Sequence, residues 1–316
     1  MLQYIVILLD DTSTSFCHYS VDKTGQKLMP IETLRKGILF AMKENLSVQF
    51  VYPSYKLPEE YLGAIDEVDH FNIMPASIAK NDADAIVVDG WEFNEKVTFH
   101  IPLIIRTGKV SLFQHADKLK EALKHSMRID VVITDVDTFK EEDFKRYESI
   151  LNDFADAVEQ IYVEGLSPQL NILTDRMMLR KMNNCGAGDT TITLAPNGKF
   201  YICPAFYYED KEDKVGDLIE GLDIKNKQLY KLEYAPICRH CDAWQCKRCV
   251  WLNRKTTLEV NTPSHEQCVV AHIERNASRK LLSSIRQHGT FLPEFGEICE
   301  IDYLDPFDNK RNWQNN

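Results

Sequence analysis

Seven of the nine cysteines in this 316-residue chain fall between positions 185 and 268: Cys185, Cys203, Cys238, Cys241, Cys246, Cys249 and Cys268. Cys17 and Cys299 lie well outside that stretch. No other feature constrains the fold as much, because thiols so crowded must either bridge one another or share metal. The odd total fits a disulfide framework poorly. Tyr4–Leu9 is apolar but short, lacks a basic leader and ends in Asp10-Asp11, so no secretory signal is expected. No run approaches the ~20 apolar residues of a membrane helix, so no membrane is expected as a partner. The expected setting is the cytoplasm, where dense cysteines bind metal more readily than they oxidise. A formal charge of −11 counts against nucleic acid as the main partner.

Before position 180 the pattern is different. Apolar, strand-like runs occupy Tyr4–Leu9, Val48–Tyr52, Ala85–Asp89, Leu103–Arg106, Ile129–Thr134 and Asn171–Thr174. Between them, Ile31–Asn45 has helical spacing, with Leu34, Ile38, Leu39 and Met42 on one face, and Ala116–His125 reads as a short helix. Thr138-x-x-Glu141 reads as a capping box for a long helix to about Val158. Strands alternating with helices predict an α/β fold, a partial (β/α) barrel of about six strands rather than the closed eight. From about residue 185, turn residues and cysteines dominate until a helix at Ile273–Gln287. Three segments are therefore expected: an α/β domain over 1–180, a cysteine-rich hairpin and loop domain over 181–290, and an acidic, polar tail over 291–316.

The cysteines form two arrays. Cys185-Gly-Ala-Gly-Asp, Thr191–Leu194 and Pro196-Asn-Gly-Lys-Phe-Tyr-Ile-Cys203 read as a hairpin about Pro-Asn-Gly with a cysteine at each outer end. The second array is Cys238-Arg-His-Cys241-Asp-Ala-Trp-Gln-Cys246-Lys-Arg-Cys249, followed by Cys268. A zinc ribbon separates its two knuckles by about 15–20 residues. Here only four residues lie between Cys241 and Cys246, too few to fold both knuckles easily onto one ion. Two sites relieve that problem. Cys238, Cys241, Cys246 and Cys268 can make one four-thiolate site, and Cys185, Cys203 and Cys249 a second with its fourth position open. Zinc and iron–sulfur clusters both suit such ligands. Arg239, Lys247 and Arg248 either offset thiolate charge or form a solvated face. Trp244 and Trp251 are expected to pack around the metal and limit water.

This arrangement resembles the SPASM domain of radical SAM peptide maturases. Cys185-x12-Gly198-x4-Cys203, Cys238-x2-Cys241-x4-Cys246-x2-Cys249 and Cys268 have counterparts there, as does the turn Val215-Gly216-Asp217-Leu218. The family's central run is C-x2-C-x5-C-x3-C, so two spacings here are each one residue shorter. The resemblance implies one or two auxiliary [4Fe–4S] clusters, with zinc as the alternative occupant. A radical SAM enzyme also carries C-x3-C-x2-C after its first strand. At the matching place stand Ser13, Cys17 and Ser20, and hydroxyls are poor iron ligands. The first half thus resembles a degenerate radical SAM barrel: S-adenosylmethionine is not expected, and Cys17 reads as a relic or a core thiol.

Leu8–Tyr19, Gly37–Asn45 and Val48–Pro53 are similar to the CXXX repeat peptide maturase family. That resemblance implies a maturation factor for a ribosomally made, cysteine-repeat peptide, binding the precursor peptide and acting beside a partner radical SAM enzyme. Two other readings remain open. One is a zinc-stabilised peptide-binding scaffold. The other is an independent enzyme using carboxylates at strand ends, namely Asp10, Asp11, Asp135 and Asp137, although helix capping is the simpler use of such residues. No P-loop, G-x-G-x-x-G, H-E-x-x-H or G-x-S-x-G motif occurs.

Overall fold

A computed structural model of the chain describes residues 2–21, 25–79 and 81–298. The expected tail from 299 on, with Cys299, lies outside the described residues. The strands are β1 (Tyr4–Leu8), β2 (Ser47–Val51), β3 (His70–Pro75), β4 (Ala85–Asp89), β5 (Leu103–Thr107), β6 (Arg128–Ile133) and β7 (Gln169–Leu170), then β8 (Thr191–Leu194) and β9 (Phe200–Tyr201). Among the described residues these form one nine-stranded sheet, ordered β7-β6-β5-β4-β3-β2-β1-β8-β9. Every pairing is parallel except β8 with β9. The result is an open, partly closed barrel of α/β class, as the alternation of elements implies.

Two strand assignments differ from the sequence-based expectation. β3 was not expected, because its apolar residues are interrupted by Asn72, a buried amide. Its side-chain nitrogen donates to the Asp82 carbonyl at 3.0 Å. The strand expected at Asn171–Thr174 is a turn, and the pairing residues are Gln169 and Leu170 just before it.

The helices flank this sheet. They are α1 (Ile31–Lys43), α2 (Glu59–Ile65), α3 (Lys109–Gln114), α4 (Ala116–Leu123), α5 (Glu141–Val163) and α6 (Asp175–Met178), then α7 (Pro204–Glu209), α8 (Val250–Thr257) and α9 (His265–Ile285). α1 buries Leu34, Gly37, Ile38 and Ala41, whereas Leu39 and Met42 are exposed. The contact stripe therefore runs through the small residues, which bring the helix close to Leu194 of β8. α5 is held not by Thr138 but by Asp143, whose carboxylate accepts the Lys140 amide at 3.0 Å. α9 begins at His265, eight residues before the expected start, with Ser264 accepting the Gln267 amide at 3.3 Å.

Both faces of the sheet are covered, as parallel strands require. Ile5 and Ile7 of β1 pack outward with Leu34 and Ile38 of α1, while Val6 and Leu8 face inward with Val51, Ile73 and Val87. On the inner side those residues meet Ala195, Tyr201, Phe206 and Val250 from the second half of the chain. The cysteine-rich segment is thus laid against the inside of the sheet.

One buried carboxylate ties α5 to α9. Glu274 accepts from the Tyr147 hydroxyl at 2.8 Å and from the Gln245 amide at 3.3 Å. Burial pushes its pKa up to about 7, with Asp175 adding repulsion and Lys247 partly offsetting it. Between its ordinary value of 4.5 and about 7 the folded chain keeps a proton that the unfolded chain has lost. Stability therefore falls as pH rises through that window, by about 3 kcal/mol in total at 1.36 kcal/mol per unit. Glu274→Gln should remove this slope. In urea titrations the variant is expected to gain on the wild type by about 2–3 kcal/mol between pH 5 and pH 8. Parallel stability profiles for the two proteins would sink the assignment.

Candidate metal centre

The hairpin forms as the sequence implies. Thr193 pairs with Tyr201 and Leu194 with Phe200, and Gly198 takes the left-handed turn position at φ +75°. β8 also pairs in parallel with β1, Tyr4 opposite Thr191 through Ile7 opposite Leu194, which carries the hairpin onto the sheet edge. At its start, Gly186 sits at φ +66° and its carbonyl accepts the amides of Asp189, Thr190 and Thr191 at 3.0, 2.8 and 2.9 Å. A side chain there would strike Thr190, so this tight turn needs glycine to lead Cys185 into the strand. After Cys203 the similar-looking turn is real: β10 (Gly216–Asp217) pairs antiparallel with β11 (Gly221–Leu222).

Backbone bonds then bring the second array alongside. The Asn183 amide donates to the Trp244 carbonyl at 2.9 Å, and the Cys185 amide to the Lys247 carbonyl at 3.3 Å. Cys203 caps α7 and Cys249 caps α8, while Cys268 lies in the first turn of α9. Arg248, at φ +45°, reverses the chain between Cys246 and Cys249. After this reversal Cys249 reaches a cleft that Cys238, Cys241 and Cys246 do not line.

Two cavities divide the seven thiols. Cys185, Cys203 and Cys249 line a cleft of about 430 Å³ that is also bordered by Cys17, His18 and Trp251. Cys238, Cys241, Cys246 and Cys268 line a closed space of about 20 Å³ with Met182 and His272. The first cavity has room for a cube-shaped cluster. The second, with its thiols as they stand, has room for about one water. Among the described residues no three histidine, cysteine, aspartate or glutamate side chains close on one point as a single-ion site requires.

Burial raises the pKa of five of these seven thiols. It pushes Cys249 up to about 12, with Cys185 adding repulsion, and Cys238 up to about 11, with Cys241 adding to it. Burial also raises Cys203, Cys241 and Cys246. Local donors oppose it: the amides of Ala243, Arg248 and Leu252 point at the sulfurs of Cys241, Cys246 and Cys249 at 3.4, 3.4 and 3.5 Å. Amides aimed at sulfur stabilise thiolate and tune any metal bound there.

Three side chains that sequence reasoning missed or left undecided complete the surroundings. His272 Nε2 lies 3.3 Å from the Cys241 sulfur, and its Nδ1 lies 3.3 Å from an Arg275 guanidinium nitrogen. Arginine only donates, so Nδ1 accepts and Nε2–H points at the sulfur. Arg275 is fully buried on α9, a helix whose buried polar residues broke its apolar period in the sequence. Arg248 is 3% exposed, borders the second cavity, and has Nε and Nη1 buried without hydrogen-bond partners. Such a cation wants an anionic neighbour. Arg239 and Lys247 are exposed and belong to the solvated face.

The remaining candidates are engaged locally. Asp10 accepts from Tyr55, Thr12 Oγ1 and the Thr12 amide at 2.7, 2.6 and 2.7 Å. Asp135 accepts the Lys109 amide at 2.8 Å at the start of α3, and Asp137 faces Lys255 at 3.4 Å. Asp11 binds Tyr207 and, at 3.1 Å, Lys211. Ser13, buried, donates to the Val51 carbonyl at 2.7 Å, and Ser20 is exposed. Trp251 borders the larger cleft and donates to Glu209 at 2.8 Å, whereas Trp244 packs with Met182 and Cys238 beneath Arg176, 4.0 Å from its ring.

Solved structures share this fold at low identity. Native anSMEcpe with bound AdoMet matches with a TM-score of 0.61 and 14% identity, over 90% of this chain and 100% of that one. Native anSMEcpe with bound AdoMet and Cp18Cys peptide gives 0.62 and 13%, over 91% and 100%. Streptococcus suis SuiB bound to precursor peptide SuiA gives 0.48 and 12%, over 84% and 76%, too loose to argue from. No family model and no curated protein matches the chain. The first two likenesses establish a radical SAM-like partial barrel as the fold. None of the helices described is long and apolar enough to cross a membrane.

The raised thiols carry a direct expectation. In metal-free chain at pH 7.5 the reactive thiolate fraction should be about a hundredfold below that of free cysteine for Cys238 and about a thousandfold below it for Cys249, so both should react with iodoacetamide far more slowly than free cysteine and accelerate towards pH 11. Mass spectrometry of each peptide across pH reads this, and rates equal to free cysteine at pH 7.5 would refute it.

Proposed function

We propose that the chain is a maturation factor that carries one or two [4Fe–4S] clusters and binds a precursor peptide beside a partner radical SAM enzyme. The observation that carries this is the sorting of seven thiols from distant segments into two cavities, with amides and a buried guanidinium directed at them. Cys185, Cys203 and Cys249 would hold the first cluster, and Cys238, Cys241, Cys246 and Cys268 the second. A cluster so held supplies a one-electron store. The chain's own contribution is to exclude water with Trp251, to donate from the Ala243, Arg248 and Leu252 amides, and to balance charge with Arg248 and with His272 backed by Arg275. The amides and the cations favour the more negative, reduced state and raise its potential, whereas excluding water works in the opposite sense.

The geometry favours a cluster over zinc. A zinc ion draws its ligands to about 2.3 Å from one point. A cubane spreads four thiolates over its corners, which suits the roomy first cavity. The zinc-held scaffold stays the second reading, supported by the tightness of the second cavity.

The absence of S-adenosylmethionine chemistry is proposed from residues alone. Ser13 is committed to the Val51 carbonyl and Ser20 is exposed, which leaves one thiol where three are needed. The anSMEcpe structures of like fold hold AdoMet and lend this point no support, but the one with Cp18Cys peptide does support peptide binding as a use of the fold.

Anaerobic reconstitution with iron and sulfide should yield a brown protein with about four to eight irons per chain. Colourless protein that retains zinc after purification from iron-rich medium would favour the scaffold. The loaded chain is expected to show no measurable AdoMet binding by calorimetry, and stoichiometric binding would overturn that part of the reading.

A further inference from the structure

The first site has three assigned thiolates and a cubane has four irons. Cys17, in the loop after β1, lines the same cleft as Cys185, Cys203 and Cys249. No other described cysteine borders it. The geometry points to Cys17 as the fourth ligand of this first cluster, an inference that rests on the cluster reading above.

The loop is held for that purpose from three sides. Arg106 of β5, 7% exposed, donates Nε to the Cys17 carbonyl at 2.8 Å and Nη2 to the Tyr19 carbonyl at 2.5 Å, while Nη1 pairs with Asp89. His18 turns away from the loop to donate Nδ1–H to the Ile133 carbonyl at 3.0 Å. Tyr19 stacks on Tyr208 of α7, the helix that Cys203 caps, with centroids 5.4 Å apart. A loop pinned both to the sheet and to the Cys203 helix cannot drift out of the cleft. The thiols also sense one another: burial raises Cys17 first, and Cys185 and Cys249 then add repulsion, just as Cys17 adds to Cys203.

His18 also borders the cleft, but burial holds its imidazole neutral and one nitrogen is already spent on Ile133. A thiolate is the better iron ligand. On binding, the Cys17 thiol gives its proton to solvent and its sulfur bonds the fourth iron, and no electron is transferred. The cysteine that a radical SAM loop would use for its own cluster thus serves a different one here, fully coordinated and closed to exchangeable ligands.

The test compares full-length wild type and Cys17→Ala after anaerobic reconstitution, by iron, acid-labile sulfide and electron paramagnetic resonance. The variant should lose about one iron per chain and show in the oxidised state the signal of a three-iron cluster, absent from wild type. Wild-type iron content with no three-iron signal would overturn the inference while leaving the cluster reading intact. A wild-type chain that takes up no iron would remove both. Should Cys17→Ala fail to fold, alkylation of wild type decides. Cys17 is expected to be protected in the loaded chain and modified once a chelator has stripped the iron, and equal modification in both states counts against it.

Discussion

The pairing of β8 with β1 is the constraint on which everything else rests. Four residues of the first strand bond to four that come nearly two hundred positions later. That ladder fixes the hairpin against the sheet edge, and the hairpin ends set Cys185 and Cys203. The same strand leads directly into the loop bearing Cys17. One ladder therefore brings a sulfur from the beginning of the chain to the sulfurs of its second half. Burial of Val6 and Leu8 against Tyr201, Phe206 and Val250 makes the register costly to change, since slipping by one residue would turn apolar side chains to the wrong face.

Charge is the second organising term. Buried thiolates are expensive unless something positive or hydrogen-bonding faces them. In this chain the compensation comes in two forms: short-range amides two or three residues ahead of a cysteine, and long-range cations, Arg248 near Cys238 and Arg275 acting through His272 near Cys241. Arg275 also meets Asp242 at 3.4 Å, and Arg176 meets the same carboxylate at 3.7 Å. The network joins the cysteine turn to α6 and α9, so the cysteine-rich region and the helical layer are one mechanical unit.

How far the sequence reveals this depends on which physical signal each element leaves. Strands β1, β2, β4, β5 and β6 are near-continuous apolar runs, and parallel strands covered on both faces leave that mark. β3 and the front of α9 are hidden because both bury polar groups: Asn72 in one case, and Gln267, His272, Glu274 and Arg275 in the other. A polar side chain satisfied only in the folded state looks, in sequence, like a solvent-facing one. The dense cysteine spacing marks the region in sequence, since too few residues separate Cys241 from Cys246 for both knuckles to fold easily onto one ion. His272 leaves no such mark, because a lone histidine carries no spacing. Cys17 was visible as a leftover, but its cleft companions lie too distant in sequence to announce it.

The placement of β1 between β2 and β8 has a consequence for how the molecule is made. A ribosome delivers β1 first and β8 much later, so one flank of the earliest strand stays open through most of synthesis. Exposed strand flanks invite pairing with foreign chains. The nascent protein must therefore shelter that flank, or remain loosely ordered there, until Thr191–Leu194 emerges. The cleft lined by Cys17, Cys185, Cys203 and Cys249 can close only once that strand is in place.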